Sequence, residues 1–275
     1  FAKCVTPGNR VLRNDLRWVP IESLRVGDVV MAFDESAQGV SRRWRMSLVL
    51  GTETQVLPCY KLILDDGREI VSSSDHRWYS RSSPEKAWVT SKGCHPGRSS
   101  IACPLDVWDD DRSWDAGWFA GVLDGEGHVR SRPSWSLSWT QKPGDIFDRS
   151  VGVARRFGFD VGISAHSNGC YRASIRGGIR EHLRCLGVFR PHRLSYSLDS
   201  HRFEIDKDRR RIVVKKEGPF LEEVVALTTS TGTYIVEGFA SHNCYGAGAS
   251  KFSATVGIPS DEGEGFLIKY DELFP

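Results

Sequence analysis

Period-two alternation of apolar and polar positions marks residues 4 to about 112 as β-rich. Ile21-Glu22-Ser23-Leu24 leads into a turn and then a strand over Val26–Phe33. Tyr60-Lys61-Leu62-Ile63-Leu64 alternates, meets Asp65-Asp66-Gly67, and Arg68–Val71 returns, the pattern of a hairpin. From about residue 115 the period changes. Trp118–Leu123 is an apolar helical run, and Ser134–Thr140 alternates around Trp135, Leu137 and Trp139. Phe147–Phe157 predicts a helix, Tyr171–Arg176 a strand and Ile179–Leu186 a helix. The order helix–strand–helix–strand–helix describes an α+β unit set inside a β chain. Alternation resumes over Val224–Val236 with a turn at Ser230-Thr231-Gly232. Residues 248–275 predict a helix, a break at Gly257-Ile258-Pro259 and a second helix opened by Ser260.

Composition narrows the class. The chain has 275 residues, 40% apolar and 26% charged, values of a globular protein with one large domain or two small ones. A net charge of +2 gives no argument for nucleic acid, so any such argument must be local. Between Asp115 and Asp199 there are 12 Arg or Lys against 8 Asp or Glu, an excess that suits phosphate contact. With no run of 18 apolar residues and no signal peptide after Phe1-Ala2-Lys3, a cytoplasmic protein without a membrane segment is expected. Seven Cys, an odd number, point to a reducing compartment. Cys94 and Cys103 flank His95, but no pair has the two-residue spacing of a zinc knuckle. Cys59, Cys94, Cys103, Cys170 and Cys185 receive no role from the sequence.

Three stretches carry candidate chemistry. Cys4-Val5-Thr6-Pro7-Gly8-Asn9-Arg10-Val11 opens the β region, Gly67 to His76 contains Ser73, Asp75 and His76, and Val236 to Cys244 ends in Ser241-His242-Asn243-Cys244. An Asn between a His and a Cys can cyclise onto its own carbonyl and break the chain there. In order and spacing these blocks resemble those of inteins, self-splicing protein elements. The resemblance implies an all-β, horseshoe-like Hint splicing domain in two discontinuous parts, residues 4–112 and 204–243, with an α+β insert at 113–203. Residues 1–3 and 244–275 are then the flanking segments to be joined.

Residue chemistry agrees with such a role. Cys4 would attack the Lys3 carbonyl, its thiol being strongly nucleophilic. His76 would protonate the leaving amide nitrogen, since imidazole titrates near neutrality. Ser73 and Asp75 would orient it or bind the scissile group. Cys244 would take the acyl group, and Asn243 would cyclise with help from His242. No metal or cofactor is needed. In many family members an Asp stands on the first strand of the closing region, and a His about ten residues before the last His. Ala226 and Gly232 fall at those places. Slow or condition-dependent splicing is therefore expected.

Phe119-Ala120-Gly121-Val122-Leu123-Asp124-Gly125-Glu126-Gly127 resembles the signature of LAGLIDADG homing endonucleases. The resemblance implies a helix that packs against a twin, with Glu126 and, in a supporting place, Asp124 at an Mg²⁺ site. It also implies double-stranded DNA as partner, with Gln141 near the cleaved phosphate and Lys142, Arg172, Ser174 and Arg176 against DNA. Arg172, Ser174 and Arg176 share one strand face, with Tyr171, Ala173 and Ile175 inward. Arg190 or Arg193 would supply a further cation. One copy of the signature requires a homodimer through the Phe119–Gly127 helix, or leaves a DNA-binding relic. Joining residues 1–3 to 244–275 gives Phe-Ala-Lys-Cys-Tyr-Gly, which resembles the fingers helix of family A DNA polymerases and implies such a host. Two other readings remain: a DNA-binding module with inactive splice ends, and a hedgehog-like autoprocessing domain, which has no need of Asn243.

Overall fold

The computed structural model describes residues 3–36, 42–80, 87–130, 135–194, 202–203 and 209–243. Two long antiparallel strands, Arg42–Leu64 and Arg210–Thr229, organise the β part, paired from Leu64 opposite Val213 to Val49 opposite Thr229. Val29–Phe33 and Glu69–Ser73 also pair with the first of them. The second pairing is the hairpin expected from the sequence. Gly67 turns it with φ +82°, a conformation that costs glycine little, and its N–H bonds the Leu64 carbonyl at 3.0 Å.

A second sheet joins the two ends of the β region. Its order is Trp18–Pro20, Arg10–Leu12, Thr233–Val236, Phe239–His242, Arg77–Tyr79, Trp88–Thr90. Val11 lies opposite Val236 and Ser241 opposite Trp78. All four residues of Thr233–Val236 and of Phe239–His242 are buried. Trp78, Tyr234 and Phe239 fill the core between the sheets, each large side chain contributing roughly 1.5–3 kcal/mol on burial. That core holds Arg10–Leu12, near the start of the β region, and Phe239–His242, near its end, in one sheet.

The insert is more elaborate than its pattern predicts. Helix Trp114–Glu126 is followed by strands Gly127–Arg130 and Ser136–Gln141, helix Asp145–Arg156, strands Val161–Ala165 and Tyr171–Ile175, and helix Gly178–Phe189. Two of these strands, Gly127–Arg130 and Val161–Ala165, are additions to the expected order. Both are short, at 4 and 5 residues, and too exposed to alternate clearly. The sheet is antiparallel throughout. Leu137, Trp139, Ala173 and Ile175 are buried beneath the helices with Phe119 and Phe189. Tyr171, expected inward, is 41% exposed: it is the first residue of its strand, with the Phe147 ring 5.8 Å away.

The first helix begins where Ser113 Oγ accepts from the Ala116 N–H at 3.3 Å. Ser113→Ala is expected to lower stability by about 1 kcal/mol, read as a lower urea midpoint with unchanged slope. The strand Arg210–Thr229 begins 14 residues before the expected Val224. Lys215-Lys216-Glu217-Gly218-Pro219 hides its first half, and the register shifts between Glu217 and Phe220. No helix among the described residues is long and apolar enough to cross a membrane. The helices expected over 248–275, and Ser134, lie outside the described residues.

Candidate active site

Cys4 is fully buried, on a segment that lies between strands Arg210–Thr229 and Glu69–Ser73. Val5 bridges both Val225 and Ser72, which places Cys4 beside Ser73. The Cys4 N–H, the nitrogen of the Lys3–Cys4 amide, donates to Ser73 Oγ at 3.0 Å, and the Ser73 N–H donates to the Cys4 carbonyl at 2.9 Å. Gln55 Nε2 approaches Cys4 Sγ at 3.6 Å. Ala226 packs in the same small cluster with Cys4, Cys59 and Val224. Four other thiols are raised and held protonated, hence poor nucleophiles. Burial, with Glu222, pushes Cys59 up to about 11, and burial pushes Cys94 up to about 12. Burial also raises Cys103 and Cys185.

The turn Ser73–His76, closed by the His76 N–H on the Ser73 carbonyl at 3.0 Å, swings the imidazole into the core. His76 is fully buried; Nε2 meets Ser241 Oγ at 2.9 Å and the ring lies 4.3 Å from that of Trp78. Burial pushes its pKa down to about 3. The Lys3 backbone carbonyl favours the charged ring without overcoming burial, and the neighbouring His242 and Lys3 depress it further. His76 does not titrate near neutrality as expected: it is a neutral imidazole at pH 7. A neutral ring carries one N–H, and the groups that face it are Ser241 Oγ at Nε2 and the Lys3 backbone carbonyl. Asp75 does not join this group. Its carboxylate faces outward from the turn and pairs with Lys92 at 2.8 Å.

At the other end, the strand Phe239–His242 delivers His242 and Asn243 into the same space. The Asn243 N–H donates to the Gly232 carbonyl at 3.0 Å. Asn243 Nδ2 donates to the Thr229 carbonyl at 3.0 Å and approaches Thr229 Oγ1 at 3.3 Å. His242 Nδ1 lies 2.9 Å from the Asn243 carbonyl oxygen, and Nε2 lies 2.6 Å from Glu35 Oε1. Lys3 Nζ, 239 positions away in sequence, lies 3.3 Å from His242 Nδ1. Cys244 lies outside the described residues.

The residues singled out in the insert separate into groups. Trp139 pairs with Gly127, so Glu126 and Gln141 lie toward one end of the sheet. Glu126 is exposed, and Gln141 Oε1 accepts from the Lys142 N–H at 2.9 Å. Asp124 is engaged by the backbone N–H groups of His192 at 2.9 Å and Arg193 at 2.6 Å. Arg193 caps the end of the signature helix, donating to the Gly127 carbonyl at 2.6 Å and the Leu123 carbonyl at 3.2 Å. Arg190 reaches away to the Asp15 carbonyl at 3.1 Å, tying the insert to the β part. Arg172 and Ser174 line a hollow of ≈ 190 Å³ with His128, Arg130, Ser136 and Ser138. Arg176 turns instead to Asp160, 3.7 Å away. Among the described residues no three His, Cys, Asp or Glu side chains gather to hold a metal ion. The residues of one chain therefore do not fit Mg²⁺ by themselves.

No protein-family model and no curated protein matches the chain. Among solved structures it is similar to a substituted gp41-1 intein, with 13% identity and TM-score 0.37 over 87% of this chain and 98% of that one. It is similar to a DnaB intein from Synechocystis sp. PCC 6803, with 13% identity and TM-score 0.40 over 87% and 97%. A bacterial intein-like domain from Clostridium thermocellum gives 13% identity and TM-score 0.38 over 88% and 100%. Likeness at this level assigns no chemistry, which has to come from the residues of the site.

Several of those residues have no local signal. Gln55, Glu35 and Thr229 reach the site from strands and turns far away in sequence. Ser241 could have been found from its place beside His242 in the closing block.

Proposed function

We propose that the chain is a self-splicing element that excises residues 4–243 and joins residues 1–3 to 244–275. The observation that carries it is the meeting of Lys3 with His242, at 3.3 Å. One bond to be exchanged, Lys3–Cys4, is formed by Lys3 itself, and the other, Asn243–Cys244, begins one residue past His242. Cys4 attacks the Lys3 carbonyl, forming a thioester as the amide nitrogen takes a proton. Ser73 on the amide N–H orients that bond, and neutral His76 supplies its ring N–H beside the Lys3 carbonyl. Cys244 takes the acyl group from Cys4. Asn243 Nδ2, steadied by Thr229, then attacks its own carbonyl, polarised by His242, and the Asn243–Cys244 bond breaks. A shift from sulfur to nitrogen leaves a Lys3–Cys244 peptide bond. Ala226 beside Cys4 brings no charge or proton and Gly232 no side chain, so this splicing is slow. Splicing is tested by peptide mapping for the Lys3–Cys244 junction; its absence from a chain that has released residues 244–275 leaves cleavage without ligation.

For the insert, DNA binding is the second part of the proposal. Arg172, Arg130 and His128 around one polar hollow support it. Arg172→Ala is expected to weaken binding to duplex DNA of any sequence and to reduce the slope of log affinity against log salt by about 1, measured by anisotropy titrations. Dimerisation through the signature helix is supported by its open glycine face: a Cβ at Gly117, Gly121 or Gly125 meets nothing within 4 Å. Mg²⁺-dependent cleavage requires that second copy to bring its own Glu126. The host is proposed to be a cytoplasmic family A DNA polymerase, from the sequence joined at Lys3 and Cys244.

A further inference from the structure

The turn beside the cyclising Asn has no side chain to offer. Gly232 sits at φ +77°, and a Cβ built there would lie 2.9 Å from Glu35 Oε2 and 3.9 Å from Asn243 Oδ1. Glu35 occupies that space, entering from the segment that follows strand Val29–Phe33. Its other oxygen, Oε1, lies 2.6 Å from His242 Nε2, and the buried ring is held from the side by the edge of Trp88 at 4.9 Å. The two ring nitrogens of His242 thus face two acceptors, the Glu35 carboxylate and the Asn243 carbonyl. A carboxylate that accepts the Nε2–H fixes the plane of the ring, and a ring proton on Nδ1 then points at the carbonyl that must be attacked. Lys3 Nζ, 3.3 Å from Nδ1, only donates, so it engages that nitrogen when it carries no proton, and the carbonyl engages it when it does.

We propose that Glu35 is the positioning residue for Asn243 cyclisation, acting through His242. It rests on the splicing function proposed above. In the step it serves, a bond forms between Asn243 Nδ2 and the Asn243 carbonyl carbon, and the carbon–nitrogen bond to Cys244 breaks. Nδ2 gives up one proton and the departing Cys244 amine takes one, so a succinimide and a free amine result. Glu35 touches neither reacting atom; it holds the histidine that does.

The test uses the full chain with Glu35→Gln and Glu35→Asp. Cleavage at Lys3–Cys4 is induced with dithiothreitol, cleavage at Asn243–Cys244 is followed separately, and both are read by mass. The expected result is a C-terminal step slowed roughly 10- to 100-fold by Glu35→Gln and partly restored by Glu35→Asp, with the N-terminal step within about twofold of wild type. Histidine labelled with ¹⁵N, in the Asn243→Ala chain, should show a slowly exchanging His242 Nε2–H that Glu35→Gln removes. Wild-type rates at Asn243–Cys244 in Glu35→Gln, or equal loss of both steps, overturn the proposal while leaving splicing intact. A wild-type chain that cleaves at neither junction overturns splicing and the proposal together.

Discussion

Asn243→Ala is expected to stop release of residues 244–275 while leaving the Lys3–Cys4 bond open to cleavage by added thiol. The substitution removes Nδ2, the nucleophile of the C-terminal step, and with it the contacts to Thr229 at 3.0 and 3.3 Å. His242 still faces the carbonyl, but nothing is placed to attack it. Loss of a nucleophile typically costs on the order of 10³-fold or more, which takes this step below detection. The proposed thioester formation at Cys4 draws on other groups, Ser73, Gln55 and His76. Dithiothreitol should therefore still release residues 1–3 and leave a chain beginning at Cys4, seen by intact mass. Continued release of residues 244–275 from the variant would show that another group breaks that bond.

His76→Gln is expected to slow the N-terminal step by roughly 10²- to 10⁴-fold, the range of a lost acid–base group. Glutamine keeps a polar contact to Ser241 but cannot relay a proton through a ring. The pH dependence distinguishes this histidine from an exposed one. Its folded pKa is pushed down to about 3, against an ordinary value of 6.5 that it regains on unfolding. Between those values the unfolded chain binds a proton that the folded chain does not. The stabilisation is whole above pH 6.5 and is lost as pH falls toward 3, at a limiting slope of roughly 1 kcal/mol per unit. Urea midpoints measured from pH 7 to pH 4.5 should fall more steeply for wild type than for His76→Gln. Thiol-induced cleavage in wild type should show no loss near pH 6.5 from protonation of His76. Parallel stability profiles in the two chains would mean that His76 titrates in the folded state as it does in the unfolded one.

The parts of the fold that were legible in sequence are those whose burial is one-sided or whose turn chemistry is local. Tyr60–Leu64 and Arg68–Val71 read correctly because Gly67 marks the turn between them. The helices near Phe147–Phe157 and Ile179–Leu186 read correctly because each buries one face, although each runs a little differently at its ends, Asp145–Arg156 and Gly178–Phe189. Strand Val161–Ala165 was not legible: only Val161 of its five residues is buried, so no alternation marks it. The first half of Arg210–Thr229 was hidden by a charged run and a Gly-Pro pair that the bulge absorbs.

At the site, the spacing of Ser73 and His76 encodes a turn, and the bridges of Val5 to Ser72 and Val225 bring the Lys3–Cys4 amide against it. Asp75, one residue before His76, points out of that turn to Lys92, because a turn spreads consecutive side chains in different directions. Burial, which sequence does not report for a single histidine, is what keeps His76 neutral. Glu35, Gln55 and Thr229 arrive through tertiary contacts between distant strands, and no pattern near them in sequence announces a role.

The most direct test of self-splicing is the intact mass of the purified chain, followed over hours in reducing buffer. The expected result is a slow loss of the 275-residue species, with a 35-residue product made of residues 1–3 and 244–275 and a 240-residue product, residues 4–243, ending in succinimide. A mass that never changes, in a chain from which dithiothreitol also fails to release residues 1–3, would contradict it.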